Sequence, residues 1–168
     1  MKILKHLVVY SLTLLLFTNN SCKKPEVPTG DNTFSCYIDG ELFVPKTTND
    51  GITGSDDGLS LYQYENRFTA FATDKDIYTV YFNIANWGVG TFPLTDSNGL
   101  IRPYDPYDIN HAIIKKNGIL YLSKVSSGIV TFIEANHPGE VNGTFEFTLY
   151  NENNESDIIY VTNGKFND

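Results

Sequence analysis

The sequence predicts an all-β protein, an antiparallel β-sandwich of about ten short strands. Apolar side chains recur at every second residue through most of the chain, which is the strand period. The turn signals Asp39-Gly40 and Asn117-Gly118 are typical of tight hairpins. No stretch shows the 3.6-residue period of a helix. A closed, lipocalin-like barrel is the alternative, because closure also covers one-sided apolar faces.

Each strand follows from its own alternation and flanking turn residues. Strands are predicted over residues 34–38, 41–44, 59–64, 67–73, 78–84, 91–94, 112–116, 119–123, 128–134, 144–149 and 158–166. The polar segment 151–156 is predicted to be a turn. Long loops at 46–58 and 95–110 can carry the chain between two sheets, which favours the sandwich. The predicted core residues are Val80, Phe82, Ile84, Phe145 and Phe147.

The N-terminus has the layout of a bacterial lipoprotein signal. Lys2 and Lys5 precede an apolar run at 7–17, which is too short for a confident membrane span, and Ser21 then precedes Cys22. We expect a signal peptide over 1–21, a lipidated Cys22, a Pro/Gly-rich tether over 22–32 and a β domain over 33–168. The alternative is an ordinary secretory signal in which Cys22 is unmodified.

The predicted anchor and the charge limit the partners of the protein. Two or three acyl chains, palmitate among them, hold a protein on a membrane durably, whereas one chain binds marginally. Without residues 1–21 the chain carries 10 basic and 20 acidic residues. This acidic balance argues against nucleic acid, because phosphate binding needs a basic surface. The membrane, through the N-terminal lipid, is therefore the one partner that the sequence specifies.

Two hairpin segments resemble a known group of proteins. The segment Thr33-Phe34-Ser35-Cys36-Tyr37-Ile38-Asp39-Gly40 is similar to the opening hairpin of many small β-rich Bacteroidota lipoproteins. Residues 139–147 and 159–166 resemble their "G-x-x-x-G-T-F-x-F … V-x-I-T-x-G-x-F" ending. These proteins are catalogued as domains of unknown function. The resemblance therefore implies lipidation and a β fold, and it transfers no active site.

The motifs of common catalytic and metal sites are missing, so we assign no catalytic residue, no metal ligand and no cofactor. His137 precedes Pro138-Gly139 and is predicted to be a turn residue, whereas His111 is either a site residue or a solvated strand start. Cys36 is predicted to be a small buried residue, since no basic neighbour lowers its pKa. The segment 96–99 begins like a calcium loop but lacks the later Glu ligand, which favours an Asx turn.

One loop concentrates groups that could bind a ligand. Two prolines stiffen residues 101–111, which lowers the entropy lost on binding. The candidate ligand-binding residues are Arg102, Tyr104, Asp105, Tyr107, Asp108 and His111. Aromatic faces beside carboxylate and amide groups suit a glycan or a peptide. The alternative is that the tyrosine rings only cover one end of the sandwich.

We therefore expect an envelope lipoprotein with a non-catalytic β domain that binds a ligand or has a structural role. The alternative is a glycan- or peptide-directed hydrolase whose acid pair cannot be identified from sequence, because spacing along the chain does not set the distance between carboxylates. Lys23 stands where an inner-membrane retention signal would have Asp, which predicts the outer membrane. Both the periplasmic and the surface-facing side are open.

Overall fold

The computed structural model describes residues 27–29, 33–46, 58–74, 77–101 and 108–168. Strands make up 64% of these residues and none is helical, so the all-β prediction is confirmed. No helix long and apolar enough to cross a bilayer occurs in this described part. The strands are β1 (Thr33–Ile38), β2 (Glu41–Phe43), β3 (Leu59–Tyr64), β4 (Arg67–Thr73), β5 (Tyr78–Ala85), β6 (Gly90–Pro93), β7 (His111–Lys116), β8 (Ile119–Leu122), β9 (Gly128–Ala135), β10 (Val141–Asn151) and β11 (Asn154–Asn167).

All eleven strands belong to one antiparallel sheet. The main path runs β2-β1-β11-β10-β8-β7-β5-β4-β3, with β9 paired to β10 and β6 paired to β9. The two predicted tight turns have positive φ at both central residues, 51° and 86° at Asp39-Gly40 and 50° and 86° at Asn117-Gly118. These values fit the type I′ geometry that matches the twist of a hairpin. The sheet is not closed, so the barrel alternative is wrong.

The sheet folds over itself at one narrow junction. Strand β10 pairs with β8 at only two positions, Tyr150 and Asn151, whereas its residues from Val141 to Phe147 pair with β9. Rings from the two halves then meet: Phe82 of β5 lies 5.3 Å from Phe145 of β10, and Phe68 of β4 lies 5.3 Å from Phe166 of β11. The layer β2-β1-β11-β10-β9-β6 therefore packs on the layer β8-β7-β5-β4-β3, which confirms the sandwich.

Each of the two long connections starts in one layer and ends in the other, as predicted. Strands β2 and β3 stand at opposite ends of the sheet path, and residues 44–58 connect them. The Lys46 amide already donates a hydrogen bond to the Thr73 carbonyl of β4, at 3.2 Å. The loop 95–110 leads from β6 in one layer to β7 in the other. The residues 47–57 lie outside the described part of the chain.

The predicted core is confirmed. Val80, Phe82, Ile84, Phe145 and Phe147 all lie in one buried apolar cluster. The rings of Phe145 and Phe147 stack at 5.0 Å, and Phe82 contacts both of them. Burial of such side chains is the main favourable contribution to folding.

The last hairpin extends further than predicted. Its turn contains only Glu152 and Asn153, because β10 runs to Asn151 and β11 begins at Asn154. The prediction of a turn across 151–156 is therefore wrong. Side chains 154–157 are all exposed, so they carry no apolar alternation, and Asn154 pairs with Asn151 next to a shift in the register of the ladder.

Candidate functional site

The loop that carries the predicted binding residues is closed at its base. The Thr95 amide and hydroxyl both donate to the Asn110 carbonyl, at 2.7 and 3.0 Å. The Asn110 amide group reaches back to the Pro93 carbonyl at 3.3 Å. The two ends of the loop therefore meet beside β6, which is the defining feature of an Ω-loop.

The far stem of the loop is attached to the outer face of β4, β5 and β7. The Asn83 amide donates to the Ile109 carbonyl at 2.8 Å, and its oxygen accepts from the Thr69 hydroxyl at 3.0 Å. The Ala85 amide donates to the Asn110 side-chain oxygen at 2.9 Å. Asn83 and Thr69 have no exposed surface, so these bonds form away from water. Buried polar side chains that are satisfied in this way hold one arrangement strongly.

The near stem is attached through His111 and Ser123. The Ser97 hydroxyl and Nδ1 of His111 are 2.9 Å apart, and the same hydroxyl oxygen accepts from the Gly99 amide at 3.2 Å. The Ser97 amide donates to the Ser123 carbonyl, and the Ser123 hydroxyl donates to the Thr95 carbonyl. Hydrogen bonds therefore hold the two stems to β5, to β7 and to Ser123, which follows β8.

The predicted Asx turn lies within the near stem. The Asn98 side-chain oxygen accepts from the Leu100 amide at 2.9 Å, and the Asp96 carboxylate accepts from the Val125 amide at 3.2 Å. The Asx-turn interpretation is confirmed. In the described part of the chain, no group of three or more His, Cys, Asp and Glu side chains could hold a metal ion.

The structure places two of the six candidate binding residues. Asp108 is exposed on the far stem, whereas His111 is fully buried beneath the loop and faces Tyr81, with ring centroids 5.5 Å apart. A solvated strand start at His111 is therefore wrong, and the ring positions the loop from below. Cys22, Arg102, Tyr104, Asp105 and Tyr107 lie outside the described residues.

Sequence reasoning missed Asn83 and Ser97. Asn83 alternates with the predicted core residues of β5 and so was not assigned to the core, but the loop covers its face of the strand and Asn83 is buried. Asn83 is the register partner of His111 in β7. The available signal was a polar residue in each of two otherwise apolar strands, Asn83 in β5 and His111 in β7. Only the pairing of these strands brings the two residues together.

A second polar group lies at the end of the last hairpin. The Tyr121 hydroxyl and the Asn151 amide both donate to Oδ2 of Asp157, each at 2.8 Å. Bonds from Asn151 and Tyr121 hold the pKa of Asp157 below its usual value, while burial and the Asp157 carboxylate raise the pKa of Tyr121. Asp157 provides a hydrogen-bond acceptor for the hydroxyl of Tyr121, which is buried at the edge of the core. We therefore interpret this polar group as structural.

Comparisons with known proteins identify the family and leave the activity open. No curated protein matches the chain. No solved structure matches it either. One family model, described as a domain of unknown function (DUF6252), matches residues 59–168. This match covers strands β3 to β11, including the Ω-loop and all its anchoring residues. The chain therefore belongs to the DUF6252 family.

Proposed function

We propose that the protein is a lipid-anchored envelope lipoprotein whose β domain is a non-catalytic binding module. The ligand-binding element is the loop 95–110, and its ligand is a glycan or a peptide. The observation that supports this proposal is the closed, doubly anchored base of the loop. Rigid stems lower the entropy that a binding loop loses when it meets its ligand.

The support for a binding role is the contrast between the base and the apex of the loop. The base uses buried Asn83, Thr69 and His111 to fix the stems, although apolar residues would pack these positions more simply. The apex carries Arg102, Tyr104, Asp105 and Tyr107, which combine aromatic faces with both signs of charge. Binding residues are typically found on loops that a rigid scaffold positions.

The binding role is tested with the two tyrosines of the apex. Glycan and peptide arrays probed with the full chain identify the ligand first. We expect the double variant Tyr104→Ala/Tyr107→Ala to lose this binding while unfolding stability changes by less than about 1 kcal/mol, because a side chain that serves a ligand and not the core contributes little to folding. The variant Tyr62→Ala, on edge strand β3, is the control and should bind normally.

Two other results would contradict the binding proposal. A loss of several kcal/mol in the double variant would show that the rings only cover the sandwich. Cleavage of the bound glycan or peptide, detected as products by mass spectrometry, would support the hydrolase alternative instead.

The anchor is tested separately at Cys22. We expect Cys22→Ala to move the protein from the outer-membrane fraction to a soluble form, because the acyl chains supply the membrane affinity. Mass spectrometry of the wild-type N-terminus should show an acylated Cys22 after loss of residues 1–21. An unmodified Cys22, or cleavage at another bond, would contradict the proposal. Protease treatment of intact cells then distinguishes a surface-facing domain from a periplasmic one.

A further inference from the structure

Two adjoining depressions lie on the outer face of the layer that contains β9, β10 and β11. They have volumes of about 330 and 310 Å³ and lie along β9, β10 and β11. Ile129 and Glu146 line both, so the two form one continuous surface feature. Each volume lies at the lower end of the range for small-molecule sites. The far stem of the Ω-loop, in contrast, is anchored on the outer face of the other layer, to Thr69, Asn83 and Ala85.

The shape of the depressions comes from the backbone. The ladder between β10 and β11 shifts register between Phe145 and Phe147, which leaves Glu146 at a β-bulge. Gly128 lines the first depression, and a Cβ there would lie 2.5 Å from the Glu146 carbonyl oxygen. Because Gly128 has no side chain, β9 can lie close to the bulge. The shape of the first depression is therefore set by the backbone of the sheet.

The lining groups suit sugar rings. Tyr160 lines the first depression with 55% of its surface exposed, which leaves an aromatic face available for the C–H face of a sugar. Around it are the hydroxyls of Thr148 and Thr162, and the second depression adds Asn163. Hydroxyls and an amide both donate and accept, as sugar hydroxyls do.

The charges of the lining favour a neutral ligand. Glu146 lines both depressions and Lys165 lines the second, so one negative and one positive group are present. Both side chains are exposed. A strongly anionic or cationic chain would meet one matching and one opposing charge, whereas a neutral chain of hydroxyls can bond to both groups.

The backbone along the depressions already pairs within the sheet. Strand β9 has partners β10 and β6, β10 has β9 and β11, and β11 has β10 and β1. Along the depressions, Ile129 pairs with both Pro93 and Glu146, and Phe145 pairs with both Val130 and Gly164. An extended peptide commonly binds a sheet by adding a strand at a free edge, whereas the depressions lie on the face of the sheet, across β9, β10 and β11.

We propose that this double depression, defined by Ile129, Glu146, Tyr160 and Lys165, binds a neutral oligosaccharide. One sugar unit occupies each depression, with Tyr160 beneath one ring and Glu146 accepting hydrogen bonds from both units. The site lies on different strands from the Ω-loop. It therefore does not depend on the function proposed for that loop.

The test titrates short neutral oligosaccharides of the cello-, malto-, xylo-, manno- and chito-series into the full chain, with calorimetric detection. We expect at least one series to bind, and its disaccharide to bind more tightly than its monosaccharide. Tyr160→Ala and Glu146→Gln should each weaken binding about tenfold, through loss of the aromatic face and of a charged acceptor. The matched controls Ile133→Ala and Glu140→Gln should bind like the wild type. Ile133 and Glu140 are exposed and line neither depression.

The possible outcomes separate this site from the loop. No binding by any series at millimolar concentration overturns the proposal, as does equal binding by Tyr160→Ala and the wild type. Binding that disappears in Tyr104→Ala/Tyr107→Ala but persists in Tyr160→Ala places the sugar on the loop, which also overturns it. Capture of peptides by the face, lost in Glu146→Gln, would replace the oligosaccharide with a peptide ligand.

Discussion

At the scale of single residues, Cys36 shows how burial sets chemistry. Its side chain has no exposed surface and lies in the apolar core, which confirms the prediction of a small buried residue. Burial disfavours the thiolate and raises the pKa of the Cys36 thiol from 9.0 to about 12. The group is therefore an inert part of the core in the folded protein.

This shift predicts a loss of stability in alkali. Because the pKa is raised in the folded protein, the Cys36 thiol of the unfolded chain ionises first as pH rises. The contribution of the buried thiol to the free energy of unfolding is therefore complete below pH 9.0 and is lost as pH rises toward 12. At about pH 10.5 the loss should be about 2 kcal/mol, at about 1.4 kcal/mol per pKa unit. The measurement is the free energy of unfolding against pH for the wild type and Cys36→Ala. Parallel curves for the two proteins would contradict the prediction.

At the scale of elements, two glycines make the last hairpin possible. Gly143 of β10 and Gly164 of β11 lie opposite Phe166 and Phe145 in the ladder. A Cβ at Gly143 would lie 2.5 Å from Cζ of Phe166, and one at Gly164 would lie 2.5 Å from Cε2 of Phe145. These two glycines therefore provide space for core rings.

The hairpin packing predicts that Gly164→Ala destabilises the protein by about 1–3 kcal/mol, because the new methyl group must displace the Phe145 ring from a close-packed core. Gly88→Ala is the matched control, since a Cβ at Gly88 meets nothing within 4 Å. Chemical denaturation should show the loss in the first variant and a change of less than about 0.5 kcal/mol in the second. Equal stabilities would show that the ring has room to move.

At the scale of the whole molecule, the sandwich needs a strand that the family match does not cover. The match begins at residue 59, whereas β1 lies between β2 and β11 in the sheet. Phe34 of β1 is buried and its ring lies 5.0 Å from Phe145. Without β1, the long strand β11 would be an open edge beside an uncovered core.

We therefore predict that the fragment 59–168 does not fold cooperatively, whereas the fragment 33–168 does. Loss of β1 and β2 removes four buried side chains from the core: Phe34, Cys36, Ile38 and Phe43. The free energy gained by burying these side chains exceeds the few kcal/mol by which domains are stable. Thermal unfolding followed by circular dichroism distinguishes the two fragments. A sharp transition in the shorter fragment would show that β1 is an accessory strand.

The sequence by itself determined where the strands lie and which side chains form the main core. Alternation and turn chemistry act over a few residues, so Val80, Phe82 and Ile84 could be assigned to the core directly. The Asn117-Gly118 turn could be placed for the same reason, because the type I′ geometry selects those residues. The segment 101–111 could be singled out as a binding candidate from its composition alone.

Only the tertiary structure decided which elements meet. The placement of β1 beside β11, and the pairing of Asn83 with His111, join residues far apart in the chain. Burial of Asn83 depends on the loop that covers its face, and the double depression depends on a bulge shared by two strands. A period-two pattern records which face of a strand is apolar. It carries no information on what packs against the other face, because that contact is made by a distant segment of the chain.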